Sequence, residues 1–201
     1  PLPIIVPSSS RAMKIMAINR QLGTPIISPI IADLIPDSAI IKDRKPFFVP
    51  DFSKQWNLEV TLAYRIARLG KNVAEKYAHR YYDAMTLILR AQPLDLINQL
   101  NISGQQSAIS TAFDGAIIQG QWLPIPTDKT TIDLTLNGEL YDIDLTTSYI
   151  DNAIAQLSSY FTLKIGDIII AGSTSNSIKV EIDSNITATL NGTERLSFKI
   201  K

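Results

Sequence analysis

Between positions 58 and 66 the chain alternates. Leu58, Val60, Leu62 and Tyr64 fall on one side, and Glu59, Thr61, Ala63 and Arg65 on the other. A period of two belongs to a strand, whose successive side chains point to opposite faces, so Glu59 and Thr61 project together. Ser148–Phe161 carries a helical period instead, with Ile150, Ile154, Leu157 and Phe161 on one stripe. Asp133–Leu136 and Glu139–Leu145 flank Asn137-Gly138, the pairing that suits a type I′ hairpin turn. A second hairpin is predicted around Asn191-Gly192. Shorter apolar runs predict strands at 13–20, at Ser38–Ile41, in the second half of Tyr81–Leu89, and at Ile168–Ala171 after a Gly166-Asp167 turn. Asn72–Arg80 and Pro93–Leu100 suit short helices. Pro25, Pro29 and Pro36 make their stretch loop or edge strand, because proline lacks a donor and restricts its neighbour. Lys45–Pro50 reads as extended chain and Ile102–Ser110 as loop. These elements describe one β-rich α+β domain.

A chain of 201 residues, 45% of them hydrophobic, can bury a sizeable core. Its formal net charge of zero argues against a nucleic-acid partner, which selects a basic face. No apolar run approaches the ~20 residues of a membrane span, and a cytoplasmic protein is expected. The absence of cysteine excludes disulfides, thiolate metal sites and a cysteine nucleophile. His79, the sole histidine, sits between Ala78 and Arg80 and reads as a surface or packing residue. No Gly-x-Ser-x-Gly segment accompanies it. Residues 1–12, rich in proline and serine, differ from the rest of the chain and read as a leader or foreign extension ahead of a domain at 13–201.

Several segments in order resemble the fumarylacetoacetate hydrolase family. They are Lys14–Arg20, Ile35-Pro36-Asp37-Ser38-Ala39-Ile40, Leu58–Ile66, Phe113-Asp114-Gly115 with Gly120, Asn137-Gly138-Glu139, and Phe161–Ile169 with its Gly166-Asp167. The resemblance covers nearly all of 13–201. It implies that family's catalytic-domain fold, layered mixed β-sheets or a β-roll with a few short helices, and a homodimer. It also implies an activity: cleavage, decarboxylation or isomerisation of β-diketo acids and acylpyruvates, with Mg²⁺ or Mn²⁺ held by three carboxylates as the Lewis acid.

Position by position, the resemblance also shows losses. The family's Glu-x-Glu falls on Glu59-Val60-Thr61, its third carboxylate on Arg90, and its Lys-x-Phe-Asp on Thr111-Ala112-Phe113-Asp114. Its Arg-Gln after the Asn-Gly-Glu hairpin falls on Tyr141-Asp142, and its late Thr-Gly-Thr-Pro on Ala171-Gly172-Ser173-Thr174. No histidine follows Arg20 closely, where the family's lid would carry one. One carboxylate and one hydroxyl compensate a dication poorly, and an arginine at the third position repels it. The expectation is therefore a degenerate member, a pseudoenzyme without a resident metal, serving as a binding or structural protein. Glu59 is a residual metal ligand, and Arg20, Thr61, Arg90, Thr111, Asp114, Tyr141 and Ser173 are the pocket candidates. Arg90 is expected to pair with Glu59 in the old metal space and to suit a small carboxylate ligand. The alternative is an active metal-dependent enzyme with a rebuilt site, using Glu59, Asp114 and, after a five-residue slip, Asp95.

Overall fold

The alternating stretch becomes the centre of the main sheet. In chain order the strands of the computed structural model are β1 (Ile15–Ile18), β2 (Ala32–Ile35), β3 (Ile40–Lys42), β4 (Trp56–Ile66), β5 (Tyr82–Pro93), β6 (Ile117–Gln119) and β7 (Leu123–Pro124). There follow β8 (Thr131–Leu136), β9 (Glu139–Asp144), β10 (Ile168–Ile170), β11 (Ser177–Lys179), β12 (Asn185–Leu190) and β13 (Thr193–Lys199). The α-helices are α1 (Leu94–Ile102) and α2 (Thr147–Tyr160). The structure describes residues 14–20, 26–42, 44–105, 107–125, 131–144, 147–173, 177–190 and 192–201. The 1–12 extension lies outside them.

Nine strands form a curled mixed sheet in the order β2-β1-β10-β4-β5-β6-β3, with β11 against β4 and β7 against β5. The pairs β1/β10 and β3/β6 are parallel. A second, antiparallel sheet runs β13-β12-β8-β9. The expected β-rich α+β fold is what forms. Both hairpins fall where Asn-Gly placed them, and Asn137 and Gly138 take φ of 50° and 88°, as a type I′ turn requires.

Both faces of β4 are buried, which the alternation alone did not suggest. Leu58, Val60, Leu62 and Tyr64 join a core beneath α2 that also takes in Ile150, Ile154 and Leu157 from the helical stripe. On the opposite face Ala63 packs with Ile15, Ala17, Ile88, Ile117 and Ile170. The strand's polar positions thus sit at the margin of a second core, and Glu59 is only 3% exposed.

Local readings shift for identifiable reasons. The proline-rich stretch holds an edge strand, β2, paired only with β1. The Asn72–Arg80 segment forms a 3₁₀ helix, Glu75–Arg80, rather than an α-helix. Only Val73 and Ala78 of it are buried, too few apolar contacts to support a longer helix. Asn72 and Val73 instead donate backbone N–H groups to Ser158 of α2. Strand β5 continues past Leu89 to Pro93, which keeps Arg90 and Gln92 in the sheet.

Candidate functional site

The register of β4 against β5 sets the site. Glu59 lies directly across from Arg90, and Thr61 across from Ile88. Directly opposed residues of an antiparallel pair project to the same face. The face therefore carries Glu59, Thr61, Arg90 and Gln92 together. On its other side β4 pairs with β11, bringing Ser177 opposite Glu59.

The carboxylate of Glu59 accepts a hydrogen bond from the side-chain amide of Gln92. That donor answers the need of a buried carboxylate for polar partners. The expected Glu59–Arg90 ion pair is not among the described contacts. The two residues share a face as expected, but it is the Gln92 amide that reaches the carboxylate. Thr61 is fully buried, and its hydroxyl donates to the carbonyl of Gly172. At Gly172 φ is +140°, and a Cβ would come within 2.8 Å of the Arg20 carbonyl, so only glycine can bring that backbone so close.

Arg20 and Ser173 meet on the far side of this glycine. The Ser173 N–H donates to the Arg20 carbonyl at 2.7 Å, and Arg20 Nε donates to the Ala171 carbonyl at 3.0 Å. The guanidinium lies 4.6 Å from the ring centre of Tyr149 on α2. Burial holds its pKa below the usual arginine value, with Tyr149 and Tyr64 pulling the other way. Its Nη1 is buried with no hydrogen-bond partner.

Thr111 lies on a cavity of about 340 Å³. Asn19, Asp33, Ser107 and Ser110 supply polar walls, and Leu34, Ile97 and Leu100 apolar ones. Asp114 is exposed on the turn at Phe113–Ala116 and does not line this cavity. Tyr141 pairs with Leu134 in the second sheet, and its side chain lies outside the described residues. His79 is exposed on the 3₁₀ turn, as expected. Asp95 opens α1, where it accepts from the Ser53 hydroxyl and from the Lys54 N–H at 3.1 Å. Those bonds, with the Ser53 hydroxyl foremost, hold its pKa below the ordinary aspartate value. In the β4/β5 register it is Arg90, not Asp95, that stands directly across from Glu59.

Divalent-ion chemistry finds a poor donor set here. The face offers one carboxylate, already engaged by an amide, one hydroxyl directed at a carbonyl, and a guanidinium opposite. Among the described residues, no three His, Cys, Asp or Glu side chains cluster to hold a metal. These residues do not fit the ion that the resemblance implies. Gln92 was missed in the sequence because the strand was read as ending at Leu89; its position two residues after Arg90 was the available signal.

Known proteins share this architecture. The fumarylpyruvate hydrolase of Pseudomonas aeruginosa, solved in complex with Mn²⁺ and pyruvate, superposes with a TM-score of 0.79 at 17% identity, over 97% of this chain and 93% of that one. The 5-carboxymethyl-2-hydroxymuconate delta-isomerase of Mycobacterium smegmatis superposes with a TM-score of 0.78 at 21% identity, covering 94% and 79% of the two chains. In sequence, oxaloacetate tautomerase YcgM of Escherichia coli (strain K12) is 24% identical over 185 residues, 86% of this chain and 83% of that protein. The fumarylacetoacetate (FAA) hydrolase C-terminal family model matches residues 25–200. With the family's fold present and its model spanning nearly the whole chain, this protein belongs to the fumarylacetoacetate hydrolase family.

Proposed function

We propose that this chain is a family member that has exchanged its metal centre for a metal-free polar cluster and acts as a binding or structural protein. One observation carries the reading: Arg90 stands directly across the sheet from Glu59, where the family resemblance puts a carboxylate ligand. Gln92 and Thr61 complete the exchange. An amide proton occupies the Glu59 carboxylate, and the Thr61 hydroxyl is committed to Gly172. Mg²⁺ and Mn²⁺ bind through anionic oxygen, and a guanidinium never gives up its charge at working pH.

The competing reading is an active metal-dependent enzyme with a rebuilt site. Its support is that relatives bear the names of a tautomerase and a hydrolase. It needs further carboxylates beside Glu59, and Asp95 and Asp114, its candidates, stand elsewhere.

Calorimetric titration with Mn²⁺, paired with assays of oxaloacetate tautomerisation and fumarylpyruvate cleavage, decides between them. The metal-free reading expects no saturable Mn²⁺ binding in the micromolar range and no rate above buffer. Micromolar stoichiometric binding, or metal-dependent turnover, refutes it. The homodimer is carried over from the family resemblance. Sedimentation equilibrium tests it, with a mass twice the 22.2 kDa chain expected.

A further inference from the structure

The cavity beside Thr111 has a charge pattern opposite to that of a keto-acid site. Among the described residues lining it, Asp33 is the one charged side chain. A carboxylate entering here would meet, among these described residues, an anion and no cation. At the position where the family resemblance puts a lysine, the wall offers the hydroxyl of Thr111.

The remaining wall chemistry selects among uncharged and cationic ligands. Asn19 Nδ2 donates to Asp33 Oδ2 at 3.0 Å, which fixes the amide so that its carbonyl oxygen serves as an acceptor beside the carboxylate. Ser110 donates its hydroxyl to the Ser107 carbonyl at 2.8 Å, leaving lone pairs on its oxygen. The Thr111 hydroxyl can both donate and accept. Leu34, Ile97 and Leu100 supply apolar surface to the same cavity. A small ammonium would answer Asp33 but leave the hydroxyl and amide groups without partners and the apolar wall uncovered. Several hydroxyls on a compact carbon frame answer all three: donors for Asp33 and Asn19, acceptors for Thr111, and C–H surface for the leucine and isoleucine side chains. The volume of about 340 Å³ falls in the range of small-molecule pockets.

We propose that the cavity between the β1–β2 end, α1 and the 107–111 segment binds an uncharged polyhydroxylated molecule of monosaccharide size. This deepens the proposed binding role by naming the ligand class. It does not depend on the metal result, because the Mn²⁺ titration reads Glu59 and Arg90 whereas a ribose titration reads Asp33 and Thr111.

The test is calorimetric titration of the full chain with D-ribose, pyruvate and ethanolamine as separate probes. Saturable ribose binding, with neither pyruvate nor ethanolamine competing, is expected. Asp33→Ala should weaken ribose about tenfold, the effect of one hydrogen bond to a charged acceptor. Thr111→Lys should reverse the selectivity, weakening ribose and admitting pyruvate, while circular dichroism confirms that both variants fold. Pyruvate or ethanolamine binding to the unmodified chain in preference to ribose overturns the proposal. So does no ribose binding at all, or ribose binding indifferent to both substitutions.

Discussion

The bond between Gln92 and Glu59 makes the most exacting test of the rebuilt site. Glu59 is 3% exposed, so its carboxylate depends on protein donors rather than on water. Gln92→Leu keeps the volume of the side chain and removes its amide. A hydrogen bond to a charged group contributes about 1.5–3 kcal/mol, and the loss here includes part of the desolvation of a buried carboxylate. For a domain of this size each kcal/mol lowers Tm by about 2–4 °C, which gives a drop of roughly 3–12 °C. Urea unfolding should show a lower midpoint at unchanged slope. Removing both partners together, in Glu59→Leu with Gln92→Leu, eliminates the buried charge that the single substitution leaves poorly solvated. The double variant should therefore be more stable than the sum of the two single effects by at least about 1 kcal/mol. A Gln92→Leu change under about 0.5 kcal/mol, or strict additivity in the cycle, would show that the amide does not sustain the carboxylate.

Two further outcomes follow from buried groups away from the site. Asp167 is fully buried, pairs with the Lys14 ammonium, and accepts the N–H groups of Lys14 at 3.1 Å and Lys164 at 2.8 Å. Asp167→Ala leaves those donors unanswered where β1 meets the turn into β10, and should cost about 2–4 kcal/mol by chemical denaturation. Burial pushes the Tyr64 hydroxyl up to about 12, with Arg20 opposing and Asp151 reinforcing the shift. The folded chain keeps a proton that the unfolded chain releases above about pH 10. The associated stability is fully present below that pH and is lost as pH rises through about 12. Tyr64→Phe should flatten the alkaline fall in stability in part only, because burial raises the Tyr82 hydroxyl as well. An alkaline limb unchanged in Tyr64→Phe would refute the assignment.

How much the sequence reveals depends on the range of the interaction involved. Hairpins set by Asn-Gly and the stripe of α2 are local, and they are legible because the turn and the helical period are written in neighbouring residues. The pairing of Glu59 with Arg90 is not local, yet the family resemblance puts both at ligand positions, and the register then brings them to one face. What resisted reading was the extent of strands. The apolar run predicts a strand ending at Leu89, but β5 pairs through Pro93 with Trp56 and so includes Gln92. β11, three residues long and set against β4, has no period to announce it. The cavity beside Thr111 joins the ends of β1 and β2 with α1 and the 107–111 segment, elements related only by the sheet order, so no sequence spacing could have assembled it.

If the face around Glu59 is metal-free, as proposed, the fold does not depend on a cation there. Ala63, Ile88, Ile117 and Ile170 continue the same face as an apolar core, and Thr61 is closed off by its bond to Gly172. Among the described contacts, apolar burial and the Gln92 amide hold this margin. Returning Thr61→Glu and Arg90→Asp to the family pattern should reverse that dependence. Position 61 is fully buried, so the added carboxylate loses hydration and faces Glu59 and the new aspartate as like charges. The double variant should be several kcal/mol less stable than the unmodified chain in the presence of a chelator. Mn²⁺ would offset two of the three carboxylate charges, and at a hundredfold excess over Kd would restore about 2.7 kcal/mol. The unmodified chain should show no Mn²⁺-dependent rise in Tm under the same conditions. If Mn²⁺ stabilises the unmodified chain as much as the variant, the guanidinium does not stand in for the ion. If the variant is unaffected by both chelator and metal, the face is not the descendant of a metal site at all.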